Sequence, residues 1–272
     1  LFFCWKKLLD ISALLCSSSS VWVLAVQRRI IAIYNLMADG VRVAVPEPCV
    51  FFEHASRDAC VRQLADDLAA QLMAVLAQQA RATLLLPGGS SPQPLLPLLA
   101  AAALDWSRVD LSPTDERWVA ADAEHSNWRL LRHGLPAAAC LDPRQAENAQ
   151  VAATRWAAQL QRQLPFAAVL LGMGEDGHIA SLFPGMPGLA SALDPQAALG
   201  ALCAQAPSAP RQRLSLNLAL LLQTRWLGLL AFGVSKKQLI AAVLADTPAS
   251  RALPLHALLT AGQLPLRIYW AP

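Results

Sequence analysis

Charge, aromatic residues and paired cysteines are all scarce in this sequence. Charged residues make up 15% of the 272-residue chain, against a usual share of about 25%. Together with 55% hydrophobic residues, this excludes a disordered chain, which needs low hydrophobicity and high net charge. Aromatic residues are only 6%, so a core must be built mainly from Leu, Ala and Val. The 13 glycines follow no triplet period, which excludes collagen, and no heptad pattern supports a coiled coil. Six cysteines (Cys4, Cys16, Cys49, Cys60, Cys140, Cys203) show no C-x-x-C pair or zinc-type spacing. Free thiols in so apolar a chain suit burial in a reducing, cytoplasmic compartment. At this length, folding buries roughly 70–75% of the extended chain's surface, enough for one sizeable core without a staple.

Lysine is scarcer still. Beyond residue 36 it occurs only at Lys236 and Lys237, against 16 arginines. Residues 1–36 carry a net charge of +3, whereas residues 37–272 balance 18 basic against 18 acidic side chains. A balanced domain is not a general nucleic-acid binder, whose affinity rests on neutralising several phosphates. A local anion site stays open. The apolar stretch near the start is broken by Asp10 and by the serines at 17–20, too interrupted for a membrane span. Lys6-Lys7 with the following apolar run and Ala25 imitates a secretory signal, but Met37-Ala38-Asp39-Gly40 reads as an ordinary soluble start. The expected division is therefore an N-terminal segment 1–36 and a folded domain 37–272. The favoured origin of that segment is a misplaced gene start or expression remnant, ahead of a cleaved signal or a true extension.

From residue 41 onward, short apolar runs alternate with long amphipathic ones. Residues 41–45, 82–86, 109–111, 167–171, 226–232 and 266–269 read as strands. Ser56 is placed to cap a helix reaching about residue 81, with Leu64, Leu68, Leu72 and Leu76 at four-residue spacing. Ser91 before Pro92 reads as a second cap and Ser126 as a third; residues 144–164 read as helix, and Ser235 as the cap of a helix over 236–245. Residues 184–210 read as loop-rich. Repeated strand–loop–helix units predict an α/β fold, a mostly parallel sheet with helices on both faces, which binds ligands at the carboxyl ends of its strands.

Four segments, read as loops, carry the chemistry. In Pro87-Gly88-Gly89-Ser90-Ser91-Pro92, Gly88 and Gly89 let backbone N–H groups approach an anion, and Ser90 and Ser91 add donors. The alternative is an ordinary tight turn with a helix cap. Ser90 lies outside a G-x-S-x-G elbow, so it is no nucleophile. In the stretch 171–184, Gly172, Gly174 and Gly177 meet the dinucleotide pattern G-x-G-x-x-G, with Asp194 near the distance of a ribose-binding acid. Against that reading, Glu175 and Asp176 would confront a pyrophosphate, and Pro184-Gly185 leaves room for little more than one helical turn. The two acids suit proton chemistry at His178 better: either Glu175 or Asp176 can orient the imidazole and stabilise its cation.

Thr114-Asp115-Glu116-Arg117, continued by Asp122 and Ser126-Asn127, is either a self-neutralising surface cluster or an arginine fork held by acids. Finally, Arg213-Leu214-Ser215-Leu216-Asn217 precedes Gly233-Val234-Ser235-Lys236. A lysine at a helix start beyond a strand suits a compact point charge for phosphate, although a cation there opposes the helix dipole.

In this order, GGSSP, TDERWV…SN, GMGEDGHIASLFPG, RLSLN and GVSK resemble the 6-phosphogluconolactonase family over roughly residues 41–270. The resemblance implies a sugar-phosphate isomerase-like, modified Rossmann-type α/β domain, a fold shared with glucosamine-6-phosphate deaminase. It implies hydrolysis of 6-phospho-D-glucono-1,5-lactone to 6-phospho-D-gluconate in the oxidative pentose phosphate pathway. No metal or cofactor is expected, and the partner is a phosphorylated sugar lactone, not nucleic acid or membrane. His178 is then the general base, oriented by Asp176 or Glu175. Gly88, Gly89, Ser90, Ser91, Arg213 and Lys236 hold the phosphate, Arg117 contacts the polyol or carbonyl side with Asn127 assisting, and Asp115 is a further substrate-binding candidate.

Ser91 and Ile179 stand where this family has Thr, and Ile179 matches the deaminase pattern. Phe183 opposes the deaminase, which has a proton-transferring Glu there. A non-catalytic sugar-phosphate sensor would need a DNA-binding helix pair upstream, which residues 1–40 do not offer.

Overall fold

The computed structural model describes residues 49–272; the segment 1–36, the start at Met37 and the strand expected at 41–45 lie outside them. Among the described residues the first element is β1 (Cys49–Glu53), followed by α1 (Arg57–Leu76), β2 (Ala82–Leu86) and α2 (Leu95–Ala100). Next come β3 (Val109–Pro113), β4 (Asp115–Arg117), α3 (Asn127–Gly134), β5 (Ala139–Cys140) and α4 (Ala149–Gln161). The second half runs β6 (Ala168–Gly172), α5 (Leu189–Leu193), β7 (Ala201–Gln205), β8 (Gln212–Leu216) and α6 (Leu218–Leu221). It closes with β9 (Leu227–Phe232), α7 (Val234–Leu244), α8 (Pro254–Thr260) and β10 (Leu266–Ala271).

Among the described residues, seven strands form one sheet in the order β1-β10-β9-β6-β2-β3-β5, and every pairing between them is parallel. All five residues of β2 are buried, because a central parallel strand is covered on both faces. Side chains alternate across it: Leu84 and Leu86 join the cluster under α1 with Leu64, Leu68 and Leu72, whereas buried Leu85 faces the other layer. On α4, Trp156 is fully buried and its indole N–H donates to Ser112 Oγ at 3.0 Å. Since Leu68 is 0% exposed at the centre of its face, Leu68→Ala should cost about 2–5 kcal/mol, read as a lower urea midpoint with an unchanged m-value.

The chain runs from β2 outward to β3 and β5, then returns to β6 and runs outward the other way to β9 and β10. Strand order therefore reverses between β2 and β6, and the crevice above their carboxyl ends is where such sheets take a ligand.

Several element boundaries differ from expectation. Ser56 caps α1 as expected, accepting from Ala59 N at 3.2 Å, but the helix ends at Leu76 rather than near 81. Arg108, far along the chain, takes the carbonyl of its last residue and one from the turn beyond, donating to Leu76 O at 2.8 Å and Gln79 O at 2.7 Å. Ser91 does not cap α2, which starts at Leu95 behind Pro94; the residue before a proline disfavours helix, so residues 92–94 form a turn. Residues 144–148 stay out of α4, whose cap is Asn148, with Oδ1 accepting from Val151 N at 2.9 Å. The helix ends at Gln161. Ser235 lies inside α7, which starts one residue earlier behind Gly233 at φ +94°.

The segments 115–117 and 212–216, read as loops, are strands. With β7, from the stretch read as loop-rich, they form a separate antiparallel sheet in the order β4-β8-β7. β4 is three charged residues and β7 is apolar through four of its five, so neither shows the alternation that marks a strand, and in β8 it spans only a few residues.

Candidate active site

β6 ends at Gly172 and no helix starts before Leu189, so the glycine triplet has no helix N-terminus to offer and the dinucleotide reading falls. The chain folds back instead: Met173 bridges Ile179, Ile179 bridges Leu182, and Gly174 N donates to His178 O at 3.0 Å. Ile179 and Leu182 are 0% exposed. They anchor the loop, and position 179 faces the core rather than substrate. Gly177, at φ +79°, turns the chain where a side chain would be strained.

Between its apolar anchors the loop presents the acids and the imidazole. Asp176 Oδ1 lies 2.6 Å from His178 Nδ1 and also accepts from His178 N at 3.2 Å. Glu175 points elsewhere: its Oε1 accepts from Ser235 Oγ at 3.4 Å, and its charge favours the protonated form of Lys236. Of the two candidate acids, Asp176 is the one that contacts the imidazole. With Nδ1 engaged, Nε2 is the ring nitrogen left for chemistry. The ring packs on Phe183 at 4.6 Å between centroids.

The two lysines separate. Lys237 pairs with Glu53 at 2.8 Å and lies over the Trp270 ring at 4.5 Å. Lys236 is half-buried against the same cavity as His178. Burial pulls its pKa down, with Arg57 acting in the same sense and Glu175 against it.

Elsewhere in the cavity lining, β4 pairs antiparallel with β8 in a register that sets Arg117 beside Arg213. Like charges opposite one another are destabilising. Burial of Arg213 lowers its pKa, Arg117 lowers it further, and Asp115 and Glu116 counteract both. Two adjoining guanidinium groups at a cavity wall are suited to an anion.

Asp115 is committed to the frame: its carboxylate accepts from Ser181 Oγ at 2.6 Å and Thr114 Oγ1 at 3.4 Å, and its carbonyl from Asn127 Nδ2 at 2.7 Å. The Asn127 amide lies so close to Gly88 that a Cβ on that glycine would fall 1.8 Å from Oδ1. Arg117 donates through Nη1 to His125 O at 2.7 Å, and its buried Nε has no partner among the described residues.

Every residue predicted for the site lines one cavity of about 540 Å³ at the strand ends, within the range of small-molecule sites. The turn after β2, the loop after β6, the start of α7 and the small sheet each form part of it. Ser181 and the β7–β8 hairpin tip at Ala206, Pro207 and Ser208 also line it and were not predicted. Ser181 stood inside a recognised motif; the hairpin tip carries no sequence signal.

Among the described residues, no group of three His, Cys, Asp or Glu side chains is placed to hold a metal. Nor is any described helix long and apolar enough to cross a membrane. Burial pushes the thiols of Cys60 and Cys140 up to about 12, which suppresses the nucleophilic thiolate.

Comparison with known proteins agrees with this arrangement. Residues 55–268 match the sequence model of the glucosamine-6-phosphate isomerases/6-phosphogluconolactonase family. The chain is 37% identical over 234 residues to a 6-phosphogluconolactonase of Pseudomonas putida, covering 84% of this chain and 95% of that protein. It is 40% identical over 218 residues to the 6-phosphogluconolactonase of Pseudomonas aeruginosa, covering 78% and 90%. A crystal structure of a 6-phosphogluconolactonase from Shewanella baltica superposes with a TM-score of 0.76 at 32% identity, covering 84% of this chain and all of that one. On these grounds, the chain belongs to the glucosamine-6-phosphate isomerase/6-phosphogluconolactonase family.

Proposed function

We infer that the chain hydrolyses 6-phospho-D-glucono-1,5-lactone to 6-phospho-D-gluconate in the oxidative pentose phosphate pathway, with His178 as the general base. The observation that carries the assignment of His178 is its 2.6 Å contact with Asp176, in a cavity that also holds Lys236 and the paired arginines. In its neutral form, His178 takes a proton from water through Nε2 while the water oxygen attacks the lactone carbonyl carbon. The bond from that carbon to the ring oxygen then breaks, and the imidazolium returns the proton to the departing oxygen. Asp176 holds the ring by Nδ1 and stabilises the intervening cation. The resulting carboxylic acid loses its own proton to solvent.

Lys236, Arg213 and the backbone N–H groups of the 88–91 turn hold the phosphate, while Arg117 attends the polyol or carbonyl side. Binding energy spent on the remote phosphate positions the reacting carbon. Phe183 packs against His178 and carries no proton, which disfavours the amino-sugar ring opening of the sister deaminases. We assign no nucleic-acid partner, given the balanced charge of residues 37–272, and place the reaction in the cytoplasm, where free thiols persist.

The test generates the lactone freshly with glucose-6-phosphate dehydrogenase and compares its disappearance with the spontaneous rate. Acceleration by the full chain supports the reading; none by a folded protein overturns it. Lys236→Ala should raise KM about tenfold or more, as expected for loss of a charge-assisted contact, with little change in kcat. An unchanged KM removes Lys236 from the phosphate site. Because burial lowers the Lys236 pKa, the cation is lost at lower pH than from a free lysine. Affinity for 6-phospho-D-gluconate, measured by calorimetry, should therefore weaken as pH rises through that lowered value. In Lys236→Arg the same decline moves to higher pH.

A further inference from the structure

Glu116 does not line the cavity, yet it holds two residues that do. Its side chain is 0% exposed, and a buried carboxylate is costly unless paired and hydrogen-bonded. Oε1 accepts from Arg117 N at 2.7 Å and Asn127 N at 2.8 Å; Oε2 accepts from Trp128 N at 2.7 Å and Ser126 Oγ at 3.3 Å. Behind it stands Arg144, with Nη2 4.0 Å from Oε2 and Nη1 donating to Ser126 Oγ at 3.0 Å. Arg144 is itself fixed by Asp142 at 2.9 Å and by the Val119 carbonyl at 3.2 Å. Burial raises the Glu116 pKa, and the three backbone donors together with Arg144 oppose that rise.

The geometry closes a loop around one residue. The carboxylate ties the backbone of Arg117 to residues 126–128, and the guanidinium of Arg117 reaches the same segment through His125 O. We propose that Glu116, backed by Arg144, is a positioning residue for the reaction: it sets the Arg117 guanidinium against the cavity wall. The proposal rests on the functional reading above and extends it to a residue that touches no substrate.

Glu116→Gln is nearly isosteric but replaces one acceptor by an N–H2 group. That group faces backbone donors, and Arg144 loses its counter-charge. Four proteins are compared: wild type, Glu116→Gln, Arg117→Ala and the double variant. Glu116→Gln should lower kcat/KM roughly tenfold, a coupling within the usual range for contacting residues, and chiefly through KM. In the Arg117→Ala background the same change should have little further effect, because no guanidinium remains to be misplaced. An equal loss in both backgrounds marks a merely structural role and overturns the proposal, as does an unchanged kcat/KM in the single variant.

If Glu116→Gln does not fold, Arg144→Lys takes its place in the same cycle, since one ammonium cannot span Glu116, Asp142 and Ser126 together. Titration of the same proteins with 6-phospho-D-gluconate gives the cycle without turnover. A wild type that binds but does not hydrolyse would then overturn the functional reading and leave the clamp to be judged by the binding cycle.

Discussion

His178→Ala should lower kcat by about 10²–10⁴-fold, the usual contribution of a positioned general base, and leave KM within a few fold. In the proposed mechanism the imidazole acts on the reacting water rather than the phosphate, so its loss should fall on the chemical step. The ring is 29% exposed and leans on Phe183, so truncation opens no sealed core cavity and the melting temperature should move little. Steady-state rates on fresh lactone, corrected for spontaneous hydrolysis, check this, with product affinity as the control for an intact phosphate site. A variant that keeps its full rate would show that His178 is not the base.

Gly174→Ala should cost nearly as much activity while removing no functional group. A Cβ at 174 would stand 2.2 Å from His178 Nδ1 and 2.5 Å from Asp176 Oδ1, closer than atoms approach without something moving. The imidazole and the carboxylate are side-chain ends at a partly open surface, 29% and 45% exposed. They move more easily than the buried strand beneath them. Stability is then largely kept while the dyad is pushed apart, and a displacement of about 1 Å in a catalytic group costs on the order of 10²-fold. The discriminating pattern is a kcat loss with near-normal melting temperature and near-normal product binding. Full activity in Gly174→Ala would mean that the Asp176–His178 contact is not needed for turnover.

Position 179 bears on how the motif is read. Ile in place of Thr beside the proposed base His178 looks like the loss of a hydroxyl from the site. The structure buries Ile179 completely and bridges it to Met173 and Leu182, where its task is to anchor the loop that carries Asp176 and His178. Neighbours along a folded-back loop point in opposite directions, so adjacency in sequence is a poor guide to adjacency in the site.

What the sequence determined by itself was local. The apolar runs of β2, β6 and β9 and the leucine spacing of α1 encode parallel strands and a covering helix, because period and burial act over a few residues. The glycine turn after β2, the acid pair beside His178 and the lysines at 236 and 237 likewise stood out locally as candidate site residues. Tertiary structure decided what depends on segments far apart. It ended α1 with Arg108 and moved the start of α2 past Ser91. It paired 115–117 with 213–215 to set Arg117 beside Arg213, gave Asp176 rather than Glu175 to His178, and tied Lys237 to Glu53 while leaving Lys236 in the cavity. These outcomes turn on which distant groups meet in a buried setting, where an unpaired charge or carbonyl is costly, and no window of neighbouring residues contains that information.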